Sequence, residues 1–360
     1  MTKIVTIQTK LLKSHLVDID FKATYGVEST VRNHVIVKIR SDDGTSGIGE
    51  AFLLPDLTGE THETIKLMID KYYSPLLINK SPFDLESIHK EMDHKYPANT
   101  TTKAAIDMAL YDLIGKTLNI PAYKLLGGIY HKYVELGAVL GINKPSIIAR
   151  KAENCVNQGA KAIKLKVGLT AKQDITTIKA VREILNDIRI RIDANAGYSL
   201  KTAMKVLKKI EKYDVEYAEQ PIASWNHKGL KLLRNYTNIP ICVDESLLTI
   251  EDAMNLIRNE VTDFFGIKLI KHGGIYKAKK IAILAEANGI KCVLISPWET
   301  HIGQAAGLHL AISSPNFDCA HELSTKELKD DPTFGLQEDN GIIRISKSSG
   351  LGITYDFEGD

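Results

Sequence analysis

From Val134 onward the chain is built on one rhythm. Short runs rich in β-branched residues recur at Val134–Ile142, Ala162–Val167, Ile188–Asp193, Val215–Glu219, Ile239–Asp244, Phe264–Leu269, Lys291–Ile295 and Phe317–Leu323. Helical patterns lie between them. Ile147, Ala149, Ala152 and Val156 mark one apolar face; Ala203, Val206, Leu207 and Ile210 mark another. The repeat is about 25 residues long, which suits a strand followed by a helix. Eight nearly all-apolar strands in this arrangement predict a parallel (β/α) barrel, with every strand covered on both faces. A doubly wound open sheet has fewer strands and a glycine-rich phosphate loop, and neither fits here.

The first 125 residues follow another pattern. Val35–Arg40 and Ser46–Glu50 flank Asp43-Gly44 as a hairpin. Helical stretches follow near Thr61–Ser74, Phe83–His94 and Thr102–Leu118. We therefore divide the chain into an α+β domain at 1–125, a barrel at 126–324 entered through Leu126-Gly127-Gly128, and a C-terminal segment at 325–360 that returns to the first domain. Basic and acidic residues nearly cancel, with a formal charge of +2, which argues against a nucleic-acid partner. No apolar run approaches a membrane span, and the N-terminus alternates like a strand, unlike a signal peptide. The four cysteines are scattered, so neither a disulfide framework nor a cysteine zinc site is expected. The expectation is a cytoplasmic protein.

Active sites of barrels lie at the C-terminal ends of the strands. Here those ends are polar: Lys164-Leu165-Lys166, Asp193-Ala194-Asn195, Glu219-Gln220-Pro221, Asp244-Glu245-Ser246, Lys268, and Pro297-Trp298-Glu299. Lys164 and Lys166 share a face of the second strand. Two ammonium groups side by side disfavour each other's charge, so one is expected to lose its proton easily and serve as a base. Asp193, Glu219 and Asp244 come from consecutive strands. Three clustered carboxylates need a cation, and hard oxygen donors suit Mg²⁺, with Mn²⁺ as the alternative. Zinc is disfavoured because no histidine accompanies them. Lys268 lies four strands on from Lys166, across the ring. A cation beside a substrate carboxylate stabilises the enolate left when the α-proton is taken.

These motifs, with Gly47-Ile48-Gly49-Glu50-Ala51 and Ala104-Ile106-Asp107-Ala109-Asp112 in the first domain, resemble the muconate lactonizing enzyme subgroup of the enolase superfamily. Lysine bases working beside Mg²⁺ are a known pattern of that superfamily. The resemblance implies a capping domain over a modified barrel. It implies Mg²⁺ on Asp193, Glu219 and Asp244, Lys166 and Lys268 as the acid/base pair, and Lys164 tuning Lys166. Substrate contacts are expected from Lys164, Asn195, Glu299 and Glu322, and specificity from loops near Val17–Thr30 and Phe52–Glu60. Family members commonly form homo-oligomers, which is the expectation here.

Two departures narrow the reading. The mandelate racemase subgroup has a histidine on the seventh strand paired with an aspartate on the sixth, where this chain has Lys268. Dipeptide epimerases of the family carry Asp-x-Asp at the eighth strand for the substrate ammonium. This chain has Asp318-Cys319-Ala320-His321-Glu322-Leu323, with Glu322 alone at the strand end. The expected substrate is a small carboxylate without a free α-ammonium: an N-acylated or N-alkylated amino acid, or a diacid. Racemisation, epimerisation and muconate-type cycloisomerisation all fit. A lyase acting on a hydroxy acid is the alternative with the same site, and a barrel that only binds ligand is the alternative of another class.

Overall fold

The structure is a computed structural model that describes residues 2–27 and 29–359. Met1, Asp360 and Glu28, the last within the 17–30 loop, lie outside the described residues. Seven parallel strands hydrogen-bond in chain order: Gly137–Leu140, Ala162–Lys166, Arg189–Asp193, Val215–Glu219, Ile241–Val243, Phe264–Ile267 and Lys291–Leu294. Their outer faces are covered by helices that bury one stripe each. Leu200–Ile210, for example, buries Ala203, Val206, Leu207 and Ile210.

The eighth run differs from expectation: Phe317–Leu323 forms no regular strand. It closes the ring through two bridges, His321 to Leu136 and Glu322 to Ile295. The bonds are sound. His321 N–H donates to Glu135 O at 2.7 Å, and Glu322 N–H donates to Leu294 O at 2.9 Å. A side chain replaces further pairing, since His321 Nδ1 accepts from Leu294 N–H. The sixth run is shorter than expected, and Leu269–His272 is a helical turn that carries Lys271 back beneath the rim. The first run splits, and Val134–Glu135 pairs instead with Ile342–Ile343.

Over the barrel sits a three-stranded antiparallel sheet of Ile4–His15, Val31–Ser41 and Ser46–Phe52. The helix Thr100–Thr117 is buried on every side from Thr101 to Gly115, because it lies between this sheet and the barrel. Gly47 and Gly49 permit that approach: a Cβ there would stand 2.2 Å from Ala109 O and 2.0 Å from Ala105 O. The stretch expected as one helix at 61–74 is His62–Met68 followed by a π-turn, Ile69–Tyr73, and a last turn, Ser74–Leu77.

Three buried carboxylates fasten the upper domain to the rest. Glu50 accepts from Thr300 and Gly303 N–H, at the start of the helix His301–Ile312. Asp107 accepts from Ile275 N–H, the first residue of Ile275–Ala287. Asp112 accepts from Ile48 and Leu351 N–H. The first two sit where a helix presents free N–H groups and a positive end. Burial pushes Glu50 up, but His34 at 2.6 Å and the Thr300 bonds outweigh it and leave it below the ordinary range.

His309 joins three parts of the chain. Its Nδ1 accepts from Tyr123 N–H, and its Nε2–H donates to Leu351 O. The acceptor role of Nδ1 requires a neutral ring, and burial lowers its pKa to about 4. The unfolded chain therefore binds one more proton between about pH 6.5 and pH 4, so stability is lost as the pH is lowered through that range. We predict that His309→Gln flattens the slope of unfolding free energy between pH 6 and pH 4 by up to about 1.4 kcal/mol per pH unit. Urea melts across that range measure it.

Candidate active site

The strand ends named from sequence meet inside the barrel mouth. Ladder register sets Lys166 beside Asp193 and Asp193 beside Glu219. Asp244 follows directly on the fifth strand. All three carboxylates are about 1 % exposed. Asn195 and Gln220 bend the chain away just past two of them, with φ of 41° and 33°. Such left-handed residues cost energy and persist where packing over-determines them. Gln220 repays part of this by accepting from Asp244 and Ser246 N–H, which fixes the backbone of the fifth strand end.

Each carboxylate is turned toward lysine. Lys166 Nζ donates to Asp193 at 2.6 Å and to Asn195 Oδ1 at 2.9 Å. Lys268 donates to Asp244 Oδ2, and Lys271 to Asp244 Oδ1, each at 2.6 Å. Lys164 lies 3.1 and 3.2 Å from the Glu219 oxygens and pairs with Glu322. Asn195 donates onward to Glu245 at 3.1 Å. Lys166 ends the second strand of the ring and Lys268 directly follows the sixth, so the two come to the mouth from opposite sides.

Charges in this space are strongly interdependent. Burial raises Asp244, yet Lys268 and Lys271 overcome that and hold it far below the usual carboxylate range. Burial and then Asp193 push Glu219 far above it. Burial and then Asp244 push Glu245 up to about 7. Burial alone would lower Lys164, but Glu219, Glu322 and Asp193 drive it well above the ordinary lysine range. At Lys164 the carboxylates therefore outweigh the neighbouring ammonium.

Among the described residues, no three acidic, histidine or cysteine side chains converge as ligands do around an ion. The donor set nonetheless fits a divalent cation. Asp193, Glu219, Asp244, Glu245 and Glu322 outnumber the four lysines here, Glu219 is destabilised by its acidic neighbours, and buried Glu245 Oε2 has no partner. All the donors are hard oxygens.

The remaining expected residues are placed unequally. Glu299 lies by the mouth near Lys268; burial and then Glu50 raise it to about 8, and its Oε1 is buried without a partner. Asp318 is at the other end of the barrel, paired with Lys291 at 3.1 Å. Both expected loops approach the mouth. Thr24 stands so close to Gly168 and Gly197, past the second and third strands, that a Cβ on either would clash with its methyl. The turn Pro55–Thr58 packs on Leu269–His272. Sequence reading did not assign Lys271, Glu245 or Tyr217. The signal for Lys271 was a lysine within an apolar stretch, since its side chain is fully buried.

A capping domain over a modified parallel barrel, with lysines and carboxylates gathered at the strand ends, defines an enolase-type enzyme. Residues 17–127 match the family described as "Mandelate racemase / muconate lactonizing enzyme, N-terminal domain", and residues 148–359 match "Enolase C-terminal domain-like". The chain belongs to this family, within the muconate lactonizing enzyme subgroup of the enolase superfamily. It is a Mg²⁺-dependent isomerase that abstracts the α-proton of a carboxylate substrate.

Among its relatives are the N-succinyl-L-Arg/Lys racemase of Bacillus cereus, 36% identical over 92% of this chain and 90% of that protein, and the L-Ala-D/L-Glu epimerase of Clostridium acetobutylicum, 36% identical over 89% and 90%. The solved dipeptide epimerase of Enterococcus faecalis V583, complexed with Mg and L-Leu-L-Tyr, superposes with a TM-score of 0.94 at 34% identity, covering 98% of this chain and 100% of that one. No helix among the described residues is long and apolar enough to cross a membrane.

Lys271 offers a test of the charge pairing. Removing one partner of a buried pair leaves an uncompensated charge. Asp244→Asn strands both Lys268 and Lys271, and we predict a loss of about 3 kcal/mol in unfolding free energy measured with EDTA present. The double variant Asp244→Asn/Lys271→Met should recover part of it, as urea denaturation will read.

Proposed function

We propose that this protein racemises N-acylated amino acids, with Lys166 and Lys268 as the acid/base pair and Asp193, Glu219 and Asp244 as ligands of Mg²⁺, or of Mn²⁺ in its place. When bound, the ion stabilises the negative charge that develops on the substrate carboxylate. Lys166 takes the proton from one face of the α-carbon, and Lys268 returns one from the other. Asn195 and Asp193 orient Lys166; Asp244 orients Lys268. Glu299, mostly protonated at neutral pH, is placed to donate a hydrogen bond to a substrate oxygen. The 17–30 loop and the turn at 55–58 exclude water, which strengthens every charge interaction beneath them.

One observation carries the choice of substrate. Glu322 is spent on Lys164 and Tyr217, and Asp318 is at the far end of the barrel. The eighth segment therefore offers no pair of free carboxylates for a substrate ammonium, and a buried unpaired ammonium is costly. An N-acyl group removes that charge. The similarity to an N-succinyl amino-acid racemase agrees with this.

A dipeptide epimerase is the second reading. Similarity to the epimerases favours it, as does a cavity of about 450 Å³ beside the eighth segment, lined by Ser324, Asp18 and Glu327. Burial and then Glu322 raise Glu327 to about 7, and an ammonium arriving in this cavity would hold it ionised, although Lys151, paired with Asp18, and Lys326 also line the space.

Kinetics separate the two. We predict that N-succinyl amino acids are racemised with kcat/KM of about 10⁴ M⁻¹s⁻¹ or more, and that L-Ala-L-Glu is at least about a hundredfold poorer, as about 2.7 kcal/mol for an uncompensated charge implies. The reverse order of substrates would establish the epimerase.

A further inference from the structure

Lys164 stands where a divalent ion must compete with it. Its ammonium lies 3.1 and 3.2 Å from the oxygens of Glu219 and 3.6 Å from Asp193. In the reading above, which this inference rests on, those carboxylates are two of the three metal ligands. A buried ammonium left without an anion is strongly destabilising. Lys164 must therefore keep those oxygens or hold another anion while the ion takes them.

Glu322 is that other anion. It pairs with Lys164 from the eighth segment, and both side chains are 2 % exposed. Its backbone is anchored on the seventh strand: Glu322 N–H donates to Leu294 O, and its carbonyl accepts from Ser296 N–H. Its carboxylate is anchored too, because the Tyr217 hydroxyl donates to Oε1 at 3.2 Å. Tyr217 lies on the same strand as Glu219, two residues earlier and on the same face. The Arg191 guanidinium packs over its ring at 4.8 Å. A phenol is protonated at neutral pH and so donates to the carboxylate. The anion is thus pinned from two strands, within reach of the ammonium.

We propose that Glu322, seated by Tyr217, is a positioning residue for Lys164, the counter-ion that lets the ammonium release Glu219 and Asp193 to the divalent ion. It acts on the metal site without being a ligand of it. This differs from the role expected from sequence, a contact to the substrate.

Calorimetric titration of Mg²⁺ into metal-free protein, without substrate, tests this. Glu322→Gln should weaken Mg²⁺ binding at least tenfold, because Lys164 then holds on to Glu219 and Asp193. Lys164→Met should remove the competition, so Lys164→Met/Glu322→Gln should bind Mg²⁺ as tightly as Lys164→Met alone. Tyr217→Phe removes one hydroxyl and should weaken binding about threefold, the size of one ordinary hydrogen bond. It also keeps the test in force if thermal melts show Glu322→Gln to be unfolded. Unchanged Mg²⁺ affinity in Glu322→Gln, or in Tyr217→Phe should that variant be needed, would overturn the inference. So would a double variant weaker than Lys164→Met, since Glu322 would then be a ligand itself. Failure of the wild-type protein to bind Mg²⁺ is a separate result: it would overturn the metal reading and this inference with it.

Discussion

Buried lysines and carboxylates hold one another inside a barrel mouth, and most of the architecture serves that arrangement. Charges so deep in protein are tolerated only when each finds a partner. The pairing is built from adjacent strand ends, so register sets it: Lys166 beside Asp193, Asp193 beside Glu219. Lys271 and Glu322 come from the two places where the barrel departs from regularity, the helical turn after the sixth strand and the short bridging segment in eighth position. Both irregularities supply buried partners that a regular strand would have aimed elsewhere.

The capping domain follows from the same constraint. The lysines and carboxylates interact strongly only if water is kept out. The domain is fixed by carboxylates of its own, Glu50 and Asp107, set against helix N-termini of the barrel. Gly47 and Gly49 bring its sheet against the helix that carries Asp107 and Asp112. A loop tip at Thr24 then rests on Gly168 and Gly197, next to the second and third strand ends. The motif around Glu50 and the polar strand ends lie far apart in sequence. They form one structure because the former seals the space the latter occupy.

The barrel was legible because its strands are apolar on both faces and recur regularly, and the strand-end residues were legible because charge within such runs is rare. Phe317–Leu323 misled for a physical reason. Its composition is that of a strand, but His321 turns its ring into the wall and takes over backbone bonding, leaving two bridges. The balance of charge at Lys164 was not legible in the same way. Sequence showed that two lysines were neighbours, yet not that Glu219 and Glu322, distant in the chain, would outweigh that repulsion. Lys271 went unassigned because its one local signal, a lysine within an apolar stretch, does not show that a turn folds it back beneath the rim onto Asp244. In general, strand periodicity carried the positions, while the balance of charge at those positions depended on long-range contacts.

The central claim is that two lysines on opposite sides of one mouth serve opposite faces of the same carbon. Exchange of the α-proton of each enantiomer of an N-succinyl amino acid, followed by NMR in deuterated water with Mg²⁺, tests it most directly. The account predicts that Lys166→Ala loses exchange from one enantiomer and retains it in the other, and that Lys268→Ala shows the mirror pattern. Undiminished exchange of both enantiomers in either variant would contradict it.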